Sequence, residues 1–130
     1  MSDETQTGGA RVTAVSLVLA AIFLTAGGVK LMGMAAAVHL FDRFGFVRLS
    51  MLPIGLTEVV AGALLLVPDG RLLGALGVCL LMVGAAAVHL VTGVAAPMVV
   101  ANLTLFAAAA WVATKSAASA YTVGVPRPRP

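Results

Sequence analysis

The chain has 130 residues, which is enough for one domain. Hydrophobic residues make up 61% of the chain and charged residues only 10%, and the mean hydropathy is +1.08, values that exclude an ordinary soluble globular domain. The net charge of +3 comes without a basic stripe interleaved with aromatic residues, so it indicates contact with anionic lipid headgroups and not with nucleic acid.

Four apolar stretches have the length and composition expected of membrane-spanning helices, which need roughly 20 apolar residues to cross about 30 Å of hydrocarbon. The predicted spans are residues 12–34, 51–67, 72–90 and 95–114. The sequence "PDG" at 68–70 predicts a tight turn between the second and third spans, and "TGVAAP" at 92–97 predicts a short turn before the fourth. We therefore predict an all-α, multi-pass four-helix bundle in the cell membrane, flanked by tails at 1–11 and 116–130.

The distribution of basic residues predicts the orientation of this bundle. An even number of spans places both termini on one side of the membrane. That side would carry the larger group of basic residues: Arg11, Arg71, Lys115, Arg127 and Arg129. The opposite side would carry only Arg43 and Arg48. Because loops rich in Lys and Arg stay in the cytoplasm, both termini are predicted to be cytoplasmic.

The hexapeptide "AAAVHL" occurs twice, at residues 35–40 and again at 85–90. Each copy contains one of the two histidines of the chain, His39 and His89. One interpretation is an internal repeat of two helical hairpins. The other is a functional pair of imidazoles at one depth near the outer surface, which is an arrangement suited to axial ligation of a haem. Interfacial histidines at helix ends are much commoner than haem ligands.

Three polar residues interrupt the apolar spans: Lys30, Glu58 and Asn102. Such residues are costly in lipid and usually face the interior of a bundle, next to a partner. Counting about 1.5 Å per residue puts all three in the outer half of the bilayer. Lys30 and Glu58 are therefore predicted to form an ion pair between the first two spans. Gly55 and Gly62 share the helix face of Glu58, so a neighbouring helix is expected to approach closely there.

The polar residues admit two interpretations. In the first, the Lys30–Glu58 pair only fastens two helices together. In the second, Glu58 is a proton donor or acceptor assisted by Lys30, in a pocket near the outer surface. The ligand-binding candidates are Asn102, His89, His39 and Thr57. Threonines in membrane helices commonly bond to their own backbone instead.

The segment after the first span raises a further structural question. In one continuous helix, His39 would lie about 180° from Lys30, so either the helix breaks near Gly33 or His39 lies outside the pocket. Residues 39–50 are amphipathic, with phenylalanines opposite charged residues. We expect this segment to lie along the outer interface as a lid over the pocket.

Short motifs in a consistent order make the chain resemble the DoxX-like family of small four-helix membrane proteins. The motifs are "AGGVKL" (26–31), "FDRFGF" (41–46), "IGLTE" (54–58), "LLLVP" (64–68), "LGA" (73–75) and "MVGAAAVHL" (82–90). Relatives often carry a proline and an aromatic residue where this chain has "VRLS" at 47–50. The resemblance implies that Lys30, Glu58 and His89 occupy recurrent polar positions of the family.

The resemblance also implies a set of possible functions. The family takes its name from a subunit of a thiosulfate:quinone oxidoreductase, so the first hypothesis is a quinone- or lipid-linked component of a membrane redox system. Its cofactor would be a quinone, with haem less favoured, and its partner a redox subunit. The second hypothesis is a membrane enzyme, an isomerase or cyclase, that uses Glu58 as general acid on a lipophilic metabolite. The third is a non-catalytic assembly or scaffold protein. Homo-oligomers are compatible with all three.

The scaffold hypothesis depends on one stripe of small and apolar residues along the third span. Its members are Gly77, Leu81, Gly84 and Val88, which recur at helical spacing. Small residues allow the backbone of another helix to approach closely. This stripe is therefore expected to receive a partner membrane protein if the third hypothesis is correct.

Overall fold

The computed structural model describes residues 2–45, 48–93 and 96–123, and the regular structure of these residues is entirely helical. The elements in chain order are α1 (Ser2–Leu31), α2 (Ala35–Arg43), a short 3₁₀ helix (Arg48–Ser50), α3 (Met51–Leu66), α4 (Arg71–Thr92) and α5 (Ala96–Val123). The predicted all-α class is therefore confirmed.

The helix boundaries differ from the predicted spans at both ends of the chain. Helix α1 begins at Ser2, within the segment that the sequence assigns to an N-terminal tail. Gly8 and Gly9 each weaken a helix by about 1 kcal/mol, but without a proline they do not end it. Helix α5 continues to Val123, well past residue 114, because a run of helix-compatible residues follows the predicted end.

Among the described residues, three helices are long and apolar enough to cross a membrane by length and composition, over Thr7–Leu31, Arg71–Thr92 and Ala96–Ser119. Helix α3 is also apolar, but with 16 residues it is shorter. The turn between α3 and α4 is as tight as predicted, since the amide of Gly70 donates to the carbonyl of Val67 at 3.0 Å. The turn predicted at 92–97 lies partly outside the described residues.

Helices α1, α3, α4 and α5 share one hydrophobic core. Helix α1 packs mainly on α3, α3 on α4, and α4 on α5. The buried members of the core are Leu19, Ala20, Phe23, Ala61, Leu65, Ala75, Val78, Ala109, Val112 and Ala113. Many large apolar side chains point outward instead, among them Leu80 on α4, of which 71% is exposed. An apolar exterior around a packed interior is what a lipid environment favours.

Helix α1 ends in a hydrogen-bonded C-cap at Gly33, which has φ +61°. The amide of Gly33 donates to the carbonyl of Lys30 at 3.0 Å, and the amide of Met34 donates to that of Val29 at 3.1 Å. This pair of bonds is the Schellman motif, which uses a left-handed residue to stop a helix. Of the two sequence-based alternatives for this segment, the structure therefore has the helix break near Gly33.

The two copies of "AAAVHL" have different surroundings in the structure. The first copy opens the separate helix α2, whereas the second lies inside the continuous helix α4. The position equivalent to Gly33 in the second copy is Val83. A β-branched side chain strongly disfavours the left-handed conformation, so α4 continues where α1 stops.

Helix α2 covers the end of the α1–α3 pair. Ala37 and Phe41 are its buried residues, and they form a small apolar cluster with Met51 at the start of α3. Val29 of α1 and Ile54 of α3 pack against this cluster. The exposed face of α2 includes Asp42 and Arg43. The amphipathic character predicted for residues 39–50 is thus confirmed where this segment overlaps α2. Residues 46–47 lie outside the described residues.

Candidate functional site

Lys30 and Glu58 form an ion pair between α1 and α3. The Lys30 Nζ donates to both carboxylate oxygens of Glu58, at 2.8 Å to Oε1 and 2.7 Å to Oε2. Only 15% of the Lys30 side chain and 10% of the Glu58 side chain are exposed. The ion pair predicted from matched depth along the two helices is therefore confirmed. Charge-assisted bonds of this length are among the stronger ones in proteins.

Glycines bring the two helices close enough for this contact. A Cβ atom on Gly27 would lie 2.6 Å from the carbonyl oxygen of Gly55, and one on Gly55 would lie 3.0 Å from the Cβ of Lys30. A Cβ on Gly62 would lie 2.9 Å from the Cγ of Leu24. Each ionic residue follows its glycine by three positions, which places it on the same face one turn later. The predicted close approach at Gly55 and Gly62 is thus confirmed.

The hydrogen bonds of Lys30 occupy all three of its donors. Besides the two bonds to Glu58, its Nζ donates to the carbonyl of Ala26 at 3.4 Å. An ammonium group has three N–H donors, so none is left for another acceptor. The bond to Ala26 is the longest of the three and is near the limit for a hydrogen bond. A ligand carbonyl would therefore replace that contact most easily.

Asn102 is buried but lies in a different contact. Its Nδ2 donates to the carbonyl of Met82 at 2.9 Å, which joins α5 to α4. Only 6% of the residue is exposed. Among the described contacts, none links the Asn102 amide to the Lys30–Glu58 pair. Its side-chain oxygen, which is an acceptor, has no bond among those described, so Asn102 retains some capacity to bind a ligand.

His89 lies near the end of α4, beside the helix α2 segment. Its ring centroid is 6.4 Å from that of Phe44, the residue that caps α2, with the planes tilted by 47°. The residue is half-buried, and its Nδ1 has no hydrogen-bond partner in the described part of the chain. Buried polar atoms are usually satisfied, so an unpartnered imidazole nitrogen is a candidate contact for a ligand. Nothing in the sequence indicates the contact between His89 and Phe44.

His39 and Thr57 are exposed and face away from the ion pair. His39 lies two residues from both Ala37 and Phe41, hence about 200° around α2 from its buried face. Thr57 donates to the carbonyl of Pro53 at 2.8 Å, the local backbone bond that membrane threonines commonly make. The structure thus does not bring either residue to the site around Lys30.

The placement of the histidines also bears on haem. Two axial ligands of one haem have to face each other across the porphyrin. His39 is exposed on α2, whereas His89 is half-buried and packs against Phe44, so the two imidazoles have different surroundings. Haem ligation by the two histidines stays a prediction. Within the described residues, no group of three or more His, Cys, Asp or Glu side chains is placed to hold a metal ion.

The stripe on α4 proposed for a protein partner is only partly available. A Cβ on Gly77 would lie 3.2 Å from the Cβ of Ala61, so this position already faces α3. Leu81 packs against the shared core. Gly84, in contrast, has open space where a Cβ would be placed. The half of the stripe that Gly77 and Leu81 form therefore belongs to the packing of this chain itself.

Comparison with known proteins assigns the chain to a family. No curated protein and no solved structure matches it. The model of the DoxX-like family matches residues 14–123, which include α2, α3, α4, all of α5 and the last 18 of the 30 residues of α1. The three apolar helices of spanning length agree with this match and indicate a membrane protein. With well over half of its length matched, the chain belongs to the DoxX-like family.

Proposed function

We propose that this protein is the membrane-embedded component of a quinone-linked redox system, and that it binds a quinone headgroup at the Lys30–Glu58 pair. The chain would cross the cell membrane four times, with both termini in the cytoplasm and the pair in the outer half of the bilayer. Helix α3 would then be the shortest span. Electrons would come from a redox partner subunit, since the proposal assigns this chain only the binding of the quinone and the handling of protons.

The proposal rests on the burial of an ion pair between two helices that glycines already bring into close contact. Small residues alone let membrane helices pack tightly. An ion pair in the same place has a desolvation cost, and replacing such a pair with apolar residues is often neutral or stabilising. Ionisable residues inside a membrane are therefore functional candidates by default. The Gly27–Gly55 contact makes a purely adhesive role for Lys30 and Glu58 unnecessary.

The hydrogen bonds of Lys30 are suited to a carbonyl ligand. A quinone carries two carbonyl oxygens, and each accepts hydrogen bonds. The 3.4 Å bond from Lys30 to the Ala26 carbonyl can be exchanged for a bond to a quinone oxygen while both bonds to Glu58 remain. Lys30 would then donate hydrogen bonds to both the quinone oxygen and the Glu58 carboxylate. The proton needed on that oxygen after reduction would pass from the Lys30–Glu58 pair to the quinone.

Helix α2 gives the proposed site a cover. Its buried residue Phe41 packs near the start of α3, and His89 lies beside Phe44 at its end. In this proposal, the unpartnered Nδ1 of His89, beside Phe44, would offer the headgroup a second polar contact. An apolar cover favours a lipophilic ligand and slows the escape of its polar headgroup to water.

The proposal is tested by the quinone content of protein purified from native membranes in mild detergent. We expect quinone to copurify with the parent protein, and its ratio to protein to fall at least about tenfold in Lys30→Gln and Glu58→Gln, because bonds to charged groups contribute about 1.5–3 kcal/mol. Thr57→Val is the matched control, one residue from Glu58 but exposed. Equal quinone in all four proteins, or none in the parent, would contradict the proposal.

A further inference from the structure

The opposite end of the bundle carries a groove with an excess of positive charge. The groove has a volume of about 1120 Å³ and lies between α1, the α3–α4 turn, the start of α4 and the last turns of α5. Its charged lining residues are Arg11, Arg71, Lys115 and Asp69, which is three cations against one carboxylate. Because α1 contributes its first turns and α5 its last, both termini of the described chain lie at this end.

Two buried donors in this groove have no partner. The Nε of Arg71 and the Oγ of Ser116 are both inaccessible to solvent, and neither has a hydrogen-bond partner among the described residues. Both residues contribute to the lining of the groove, so these two atoms lie just beneath its surface. A guanidinium nitrogen can only donate, and a serine hydroxyl donates readily to an oxyanion. The ligand that would satisfy both is therefore an oxygen-bearing anion.

The position of the groove indicates which class of oxygen-bearing anion it binds. It lies at the ends of helices that have spanning length, where the headgroup layer of a bilayer begins. Trp111 borders it and is 36% exposed, as interfacial indoles commonly are. Val12 and Leu72 supply apolar wall for a glycerol or acyl segment. Basic grooves between membrane helices on the cytoplasmic side suit anionic headgroups.

We propose that this terminal groove binds the phosphate headgroup of an anionic phospholipid, with Arg71 and Ser116 contacting the phosphate and Arg11 and Lys115 adding positive charge. Such a lipid would join α1, α4 and α5 where the described side chains leave a gap. It would also hold the terminal end of the bundle at the membrane surface. This site is separate from Lys30 and Glu58, so it does not depend on the proposed quinone function.

The test uses the full chain in detergent micelles, supplemented with dioleoyl phosphatidylglycerol or with dioleoyl phosphatidylcholine. We expect only the anionic lipid to raise the midpoint of thermal unfolding and to remain bound in native mass spectrometry. Each cation removed near a membrane surface weakens binding about fivefold, so Arg71→Gln and Lys115→Gln should each have that effect. Arg43→Gln makes the same charge change on the exposed face of α2 and should leave binding unaltered.

Three results would overturn this inference. The first is equal stabilisation by the two lipids. The second is a Lys115→Gln protein that binds phosphatidylglycerol as tightly as the parent; Lys115 is exposed, so this variant is expected to fold even if Arg71→Gln does not. The third is displacement of the lipid by an equal concentration of inorganic phosphate, which would identify a site for the free anion instead.

Discussion

Gly27 and Gly55 face each other so closely across α1 and α3 that a Cβ on Gly27 would lie 2.6 Å from the Gly55 carbonyl oxygen. Real Cβ atoms essentially never come that near to a backbone atom, so even alanine at Gly27 forces the helices apart. Lys30 and Glu58 each lie one turn after their glycine on antiparallel helices, so their ion pair spans this contact and depends on the separation of the helices there. The contact therefore connects local packing to the geometry of the proposed site.

The first prediction concerns that contact. Gly27→Ala should lower the free energy of unfolding by about 1–3 kcal/mol, as expected when an extra methyl group is forced into a packed contact. Gly28→Ala is the matched control, because nothing lies within 4 Å of a Cβ there, and it should be neutral or stabilising by up to about 1 kcal/mol. Thermal unfolding in one detergent measures both. Equal stability of the two variants would mean that the helices are not held at this distance.

The second prediction concerns the ion pair itself. Lys30→Met or Glu58→Leu alone should cost about 3–5 kcal/mol, because each leaves an unpaired buried charge. The double replacement should cost clearly less than the sum of the two, since it removes both charges. A double-mutant cycle of unfolding free energies measures the difference. Additive effects would indicate that the two side chains do not interact.

The third prediction concerns the end of α1. Gly33 has φ +61°, so Gly33→Ala should destabilise the protein by about 1–2 kcal/mol. Gly84→Ala should act in the opposite direction, because Gly84 lies within α4 with open space around it and alanine favours a helix by about 0.5–1 kcal/mol. Thermal unfolding again serves as the measurement. A neutral Gly33→Ala would contradict the role of this glycine in separating α1 from α2.

The fourth prediction concerns orientation in the membrane. In a Cys79→Ser background, a cysteine at Leu49 should react with a membrane-impermeant maleimide added to intact cells, since Leu49 is 74% exposed near the proposed outer surface. A cysteine at Ser119 should react only after the membrane is permeabilised. The reversed pattern would place the termini outside and the Lys30–Glu58 pair in the inner half of the bilayer.

Axial position along a helix could be predicted from the sequence, whereas rotation about the helix axis could not. Counting residues placed Lys30 level with Glu58, and the two are in contact. The same counting placed Asn102 at that depth, but its side chain turns to the Met82 carbonyl. Which face of α5 meets α4 depends on the packing of the whole core. Depth alone does not contain that information.

The ends of the helices, like the rotation of their side chains, were only partly predictable from the sequence. The repeated hexapeptide suggested two equivalent hairpins, yet Gly33 ends α1 whereas Val83 continues α4. A comparison of these two positions alone could have indicated the difference, because glycine accepts a left-handed conformation and valine strongly resists it. The terminal groove had no such signal, since Arg11, Arg71 and Lys115 come from three distant parts of the sequence.

Binding of a quinone headgroup at Lys30 and Glu58 can be measured by labelling with a photoreactive azidoquinone in native membranes, followed by peptide mapping. We expect labelled residues between the third quarter of α1 and its end at Leu31, and in the first half of α3. This labelling should be lost when unlabelled quinone is added and should be absent in Glu58→Gln. Labelling confined to other helices, or labelling that excess unlabelled quinone does not reduce, would contradict it.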